Sequence, residues 1–113
     1  MSGLTTHVLD TTHGRPAVGV AVRLTRDGQL LREAVTNADG RCDGPLLDGA
    51  SLQAGRYRLE FAVGAYFRGL GLDLPDPPFF DVVAIDFGVN DSGQPYHVPL
   101  LVSPFAYSTY RGS

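Results

Sequence analysis

The chain has 113 residues, 43% hydrophobic and 19% charged, enough apolar material for one compact domain over 1–113 and too ordinary a mixture for a disordered or fibrous chain. Nine basic against twelve acidic side chains leave a formal net charge of -3, with the cations spread along the chain, so no nucleic-acid surface is expected. The single cysteine, Cys42, excludes an internal disulfide and a multi-cysteine zinc site, and Met1 to Leu9 holds neither a basic region nor a long apolar run, so we expect a soluble cytoplasmic protein without membrane contact.

No segment sustains a helical period, whereas several alternate strictly between Gly, Asp, Asn and Pro punctuation, the pattern of an all-β sandwich. Leu4 to Asp10 reads as the first strand, and Thr11 to Ala17, with Gly14 and Pro16, as the loop leaving it. Val20, Val22 and Leu24 alternate with Ala21, Arg23 and Thr25, and Asp27-Gly28 supplies a tight hairpin. The return strand carries Leu31 and Val35 on one face and Arg32 and Ala34 on the other, ending at a turn around Asn37, Asp39 and Gly40; Arg41 follows at a strand end. Cys42 to Leu47 reads as a short extended stretch interrupted by Pro45, suited to an edge.

Arg56 to Val63 is the clearest strand, with Tyr57, Leu59, Phe61 and Val63 facing the core and Arg58 and Glu60 facing away. Ala65 to Leu72 holds the one candidate helix, a turn or two closed by Gly69, Gly71 and Asp76-Pro77-Pro78. Val83, Ile85 and Phe87 form another inward row, Asp91 to Gly93 a turn, Tyr96 to Val102 the next strand, and Phe105 to Tyr110 the last. About eight strands in one domain predict two packed sheets, and the polar last strand, if it lies at an edge, calls for a covering partner.

His7 lies on one side of the first strand with Thr5 and Leu9, while His97 stands in an apolar strand where an ionisable ring needs a partner. His13, beside Gly14 and Arg15, reads as a solvated turn residue. Three histidines raise the question of zinc, but none is paired at short ligand spacing, and we expect no metal and no cofactor. Ser103 and Ser108 are near His97 in sequence without a nucleophile elbow or a carboxylate to orient a base, and Gly69-Leu70-Gly71 is not a phosphate loop. Arg41 is either a solvated loop cation or a clamp for an anion, a use to which a planar guanidinium is well suited. Composition leaves that choice open, as it does for the closing Tyr110-Arg111-Gly112-Ser113.

Read together, Leu4-Thr5-Thr6-His7-Val8-Leu9-Asp10, Asp39-Gly40-Arg41, and Tyr96-His97-Val98-Pro99-Leu100-Leu101 through Ser108-Thr109-Tyr110-Arg111-Gly112-Ser113 closely resemble the 5-hydroxyisourate hydrolases of the transthyretin-like family. The terminal Tyr-Arg-Gly-Ser is the most specific piece, the ending that separates these hydrolases from the hormone-carrying transthyretins of the same fold. The departures are Cys42, where a small polar residue is expected, and the extra His13.

The resemblance implies a transthyretin-like β-sandwich with one short helix, forming a homotetramer as a dimer of dimers with the site in a cleft between subunits. It implies His7, Arg41, His97, Tyr110 and Ser113 as catalytic residues and His7, Arg41, Tyr110, Arg111, Gly112 and Ser113 as substrate contacts. The implied reaction opens 5-hydroxyisourate to 2-oxo-4-hydroxy-4-carboxy-5-ureidoimidazoline in urate degradation, an imidazole drawing the proton from water; which histidine does so stays open. The rival readings are a transthyretin-like carrier of a small aromatic ligand and a sandwich domain used only for protein contacts.

Overall fold

A computed structural model describes residues 3–112. The chain order is β1 (Gly3–Asp10), β2 (Arg15–Pro16), β3 (Ala21–Arg26), β4 (Gln29–Val35), β5 (Leu47–Asp48), β6 (Gly55–Phe61), α1 (Val63–Gly69), β7 (Val83–Val89), β8 (Pro95–Ser103) and β9 (Ala106–Thr109). One sheet runs β2-β1-β8-β9 with β5 also on β1, the other β4-β3-β6-β7. Alternation drives the layering: Leu4 and Val8 of β1 and Leu100 and Val102 of β8 meet Val22, Leu24, Leu59 and Phe61 of the other sheet, all fully buried. Each such side chain contributes about 2 kcal/mol by leaving water.

The β3–β4 hairpin turns on Asp27 and Gly28 at φ 52 and 79, the two successive positive values that a tight two-residue hairpin needs. On β4 the two faces divide as expected and the structure decides which is inward; three other expectations need correction. On β4 the half-buried side chains are Arg32 and Ala34, while Leu31 and Val35 are exposed; a register shift between Leu24 and Thr25 pairs Leu24 with Arg32 and Val22 with Ala34, setting those two on the core side of an edge strand. The helix begins at Val63 rather than Ala65, because Val63 and Phe67, one turn apart, continue the inward row of β6 into the core. Between Cys42 and Leu47 there is no continuous strand; Gly44 at φ 74 and Pro45 break the stretch, and only Leu47–Asp48 pairs with β1. The segment 11–17 is not all loop, since Arg15 and Pro16 pair with Asp10 and Leu9 as β2, bringing the described strands to nine.

What matters for the site is the central parallel pair. β1 and β8 run side by side with Thr5 opposite His97 and His7 opposite Pro99. Leu4, Thr6 and Val8 turn inward, so Thr5 and His7 project from the outer face of the sheet, and His97 does so between the inward Tyr96 and Val98. The sandwich core thus holds these polar groups from behind.

Candidate active site

Residues 36–43 form the wall beside His7. The Asn37 side chain organises it: Oδ1 accepts the backbone N–H groups of Asp39 (2.9 Å) and Arg41 (3.2 Å), while Nδ2 donates to Asp43 (2.9 Å). Gly40, at φ 74, accepts the Val8 N–H at 2.7 Å through its carbonyl, and a Cβ built on it would stand 2.3 Å from the Val8 oxygen, so no other residue fits there. This close approach brings Arg41 into a backbone bridge with His7 and carries the Asp39 carbonyl to 2.8 Å from His7 Nε2. A carbonyl only accepts; His7 Nε2 therefore carries a hydrogen, and the neutral ring leaves its Nδ1 lone pair unused.

His97 is held from three sides. Its Nδ1 lies 2.8 Å from Thr5 Oγ1, its backbone carbonyl accepts the Gly112 N–H at 2.7 Å, and its Cδ2 edge rests on Gly112, where an added Cβ would be 2.5 Å away. Burial pushes the imidazole below its ordinary value of 6.5, the charges of Arg41 and His7 push in the same direction, and a hydrogen bond from the ring to the Thr5 backbone opposes them. At neutral pH the ring is uncharged and available to take a proton. The exposed Arg41 guanidinium has no ion-pair partner among the described residues. An uncharged base beside an unspent cation can both receive a proton and hold a developing negative oxygen.

Of the remaining candidates, Gly112 is brought to the cluster and Tyr110 and Arg111 are not. Tyr110 and Arg111 line a cleft of about 260 Å³ at the open edge of the sandwich with Phe87, Tyr96 and Val98. The Arg111 guanidinium stacks 4.1 Å from the centre of the Tyr96 ring and donates to the Pro95 carbonyl at 3.0 Å, anchoring the tail. Ser113 lies outside the described residues. The larger groove, about 850 Å³ over the outer face of the second sheet, contains no histidine, and its Arg58 and Asp86 neutralise each other at 2.7 Å. Among the described residues no three His, Cys, Asp or Glu side chains cluster as a metal would require.

His13 is an exposed turn residue, as expected, but its ring has a partner that the sequence reading did not give it. Its Nδ1 sits 2.6 Å from Oδ2 of the buried Asp10, which also accepts the Tyr66 hydroxyl at 2.8 Å, so this histidine supports the carboxylate that ties the end of β1 to α1. Cys42 is half-buried, and burial pushes its thiol up, away from nucleophilic use. Sequence reading passed over Thr5, Asn37 and the Asp39 carbonyl as site groups; the Asn-x-Asp-Gly turn was a visible signal for two of them, whereas Thr5 acts through a cross-strand register that only the fold reveals.

Comparison with known proteins agrees with this geometry. A family profile described as HIUase/Transthyretin family matches residues 4–112. The chain is 57% identical to a 5-hydroxyisourate hydrolase of Ralstonia nicotianae over the whole of both chains. Among solved structures it resembles the 5-hydroxyisourate hydrolase of Klebsiella pneumoniae, with a TM-score of 0.85 and 42% identity over 100% of both chains. It also resembles an (S)-allantoin synthase, with a TM-score of 0.94 and 42% identity over 99% of this chain, which spans 44% of that longer one. By profile, identity and fold alike, this chain is a member of the HIUase/Transthyretin family.

Proposed function

We propose that the protein hydrolyses 5-hydroxyisourate to 2-oxo-4-hydroxy-4-carboxy-5-ureidoimidazoline, a step of urate breakdown. The observation that carries this reading is that His97, its basicity lowered by burial, lies with His7 on one open face beside Arg41, which has no ion-pair partner among the described residues. A pure carrier has no need of an imidazole kept neutral next to a free cation, and a contact domain has no need of either. The relatives at 57% and 58% identity over their full lengths carry the hydrolase name, which also favours catalysis over carriage.

In this reading the oxygen of water bonds to the carbonyl carbon of the cyclic amide while one of its protons passes to an imidazole lone pair. Arg41 holds the carbonyl oxygen as charge develops there. Collapse of the tetrahedral adduct breaks the ring C–N bond, and the leaving nitrogen takes the proton back. His97, held neutral, is the base; His7, with Nε2–H committed to Asp39, orients substrate or water through Nδ1. Gly112 and Ser113 frame the substrate from the tail, which Arg111 anchors through Tyr96 and Pro95. Nothing in this sequence of steps requires a metal or a cofactor, so exhaustive chelation should leave turnover unchanged; activity lost to chelation and restored by stoichiometric zinc would overturn that part.

We further propose that residues 1–113 act as one domain, in the cytoplasm, in a homotetramer arranged as a dimer of dimers. What supports assembly is that β7 and β9 end their sheets and that Phe79, Val82, Phe105 and Tyr107 near those edges are exposed. Sedimentation that finds an active monomer would count against it. The direct test of function is loss of the ultraviolet absorbance of freshly generated 5-hydroxyisourate on adding the protein, with the spontaneous decay rate as the result that would refute it.

A further inference from the structure

We propose that Thr5 is a positioning residue for His97: its hydroxyl receives the hydrogen on Nδ1 and so holds the neutral ring in the tautomer whose Nε2 lone pair is free for water. The contact between Thr5 and the ring is geometry; that Nδ1 carries the hydrogen rests on the hydrolase reading, in which the ring acts as a base through Nε2.

Thr5 and His97 are directly opposite in the parallel β1–β8 pair, and Oγ1 lies 2.8 Å from Nδ1. A threonine hydroxyl can donate or accept, so distance alone leaves two arrangements. The work asked of the ring decides between them. For Nε2 to take a proton from water, Nδ1 must carry the hydrogen of the neutral ring, so the hydroxyl accepts it and turns its own proton toward solvent, where Thr5 is exposed.

The opposite edge of the ring explains why the arrangement persists. Cδ2 rests on Gly112 so closely that a Cβ there would stand 2.5 Å away, and the Gly112 N–H is tied to the His97 carbonyl. The imidazole therefore sits between a hydroxyl on one edge and a bare backbone on the other. A half-turn of the ring would put a carbon against Thr5 and forfeit the hydrogen bond. His7 is fixed by the same logic with the nitrogens exchanged, since the Asp39 carbonyl claims Nε2–H. The two rings thus present lone pairs from different nitrogens, each set by its own neighbour.

A threonine in a strand has a plain alternative role, because a β-branched side chain suits a pleated sheet. Thr5→Val keeps the shape and removes the hydroxyl, while Thr5→Ser keeps the hydroxyl and removes the methyl. We expect ring ¹⁵N spectra of the substrate-free wild type to show His97 as the Nδ1–H form, and Thr5→Val to show a mixture of both forms. On 5-hydroxyisourate, Thr5→Val should lower kcat by roughly tenfold with KM within about twofold, the scale for losing a group that orients a reacting side chain. Thr5→Ser should recover most of both readouts. An Nε2–H His97 in the wild type, an unchanged tautomer and kcat in Thr5→Val, or a Thr5→Ser as impaired as Thr5→Val would each overturn the proposal. A wild type unable to hydrolyse the substrate would sink the hydrolase reading alone, since the ring spectra decide the tautomer without it.

Discussion

Two histidine sites lie along the path of β1, one within the strand and one just past its end, and they use the same side chain for opposite purposes. His7 lies on the outer face against a carbonyl, with Arg41 bridged to it and His97 diagonally across the strand pair. Past Asp10, where the strand ends, His13 meets a carboxylate that is 1% exposed. A carboxylate partner spends the imidazole on holding the fold. Neutral oxygen partners leave a lone pair free, and at His97 burial and the nearby cation oppose protonation. The partner, more than the residue, decides whether a histidine is structure or chemistry.

Substitutions on the open face should give the largest effects. His97→Asn and His7→Asn are each expected to lower kcat by roughly a hundredfold or more with the fold intact, the usual scale for a positioned acid or base. Arg41→Lys should fail comparably, since it keeps charge but loses the planar fork. Activity should fall on acidification as His97 takes a proton, with a midpoint below the ordinary 6.5. In Arg41→Gln, an NMR titration of the His97 ring should show that midpoint moving upward once the cation is gone.

At the Asp10–His13 contact the readout is stability. Burial raises the Asp10 carboxyl, but hydrogen bonds from His13 and Tyr66 outweigh it and hold the group below its ordinary 3.8. A depressed carboxylate contributes stability that is present above pH 3.8 and lost as pH falls through the folded-state value. Asp10→Asn should cost about 2 kcal/mol in urea titrations at pH 7 and progressively less in acid. Tyr66, pushed up to about 12 by burial and by Asp10, contributes the mirror image: stability present below pH 10 and lost as the pH rises through about 12. Enzyme turnover should be nearly indifferent to Asp10→Asn.

Smaller effects test how the tail serves the open face. Gly112→Ala puts a methyl where the His97 ring rests and should lower kcat by roughly tenfold, about 1.4 kcal/mol, as the imidazole tilts. Arg111→Gln removes the stack on Tyr96, about 1 kcal/mol, and should speed hydrogen exchange at the Gly112 amide by about fivefold.

Much of this was legible in the residues. Alternation in Arg56 to Val63 located the core row, Asp27-Gly28 its hairpin, and the terminal motif together with His7, Arg41 and His97 pointed to the family. The exposure of Leu31 and Val35 was not legible, because a one-residue register shift inverts a strand's faces without leaving a trace in its composition. The contact of His13 was hidden for a related reason: its partner Asp10 is only three residues away, but that carboxylate is buried and also held by the distant Tyr66. Thr5 became visible as a partner of His97 only when two strands 92 residues apart were set in register.

The contrast between the two histidine settings is tested most directly by measuring kcat on 5-hydroxyisourate and thermal stability side by side for His97→Asn and His13→Asn. The account predicts that His97→Asn loses roughly a hundredfold in kcat with its melting temperature little changed, and that His13→Asn melts several degrees lower with kcat nearly intact. A His97→Asn protein of full activity, or a stable His13→Asn protein that has lost turnover, would contradict it.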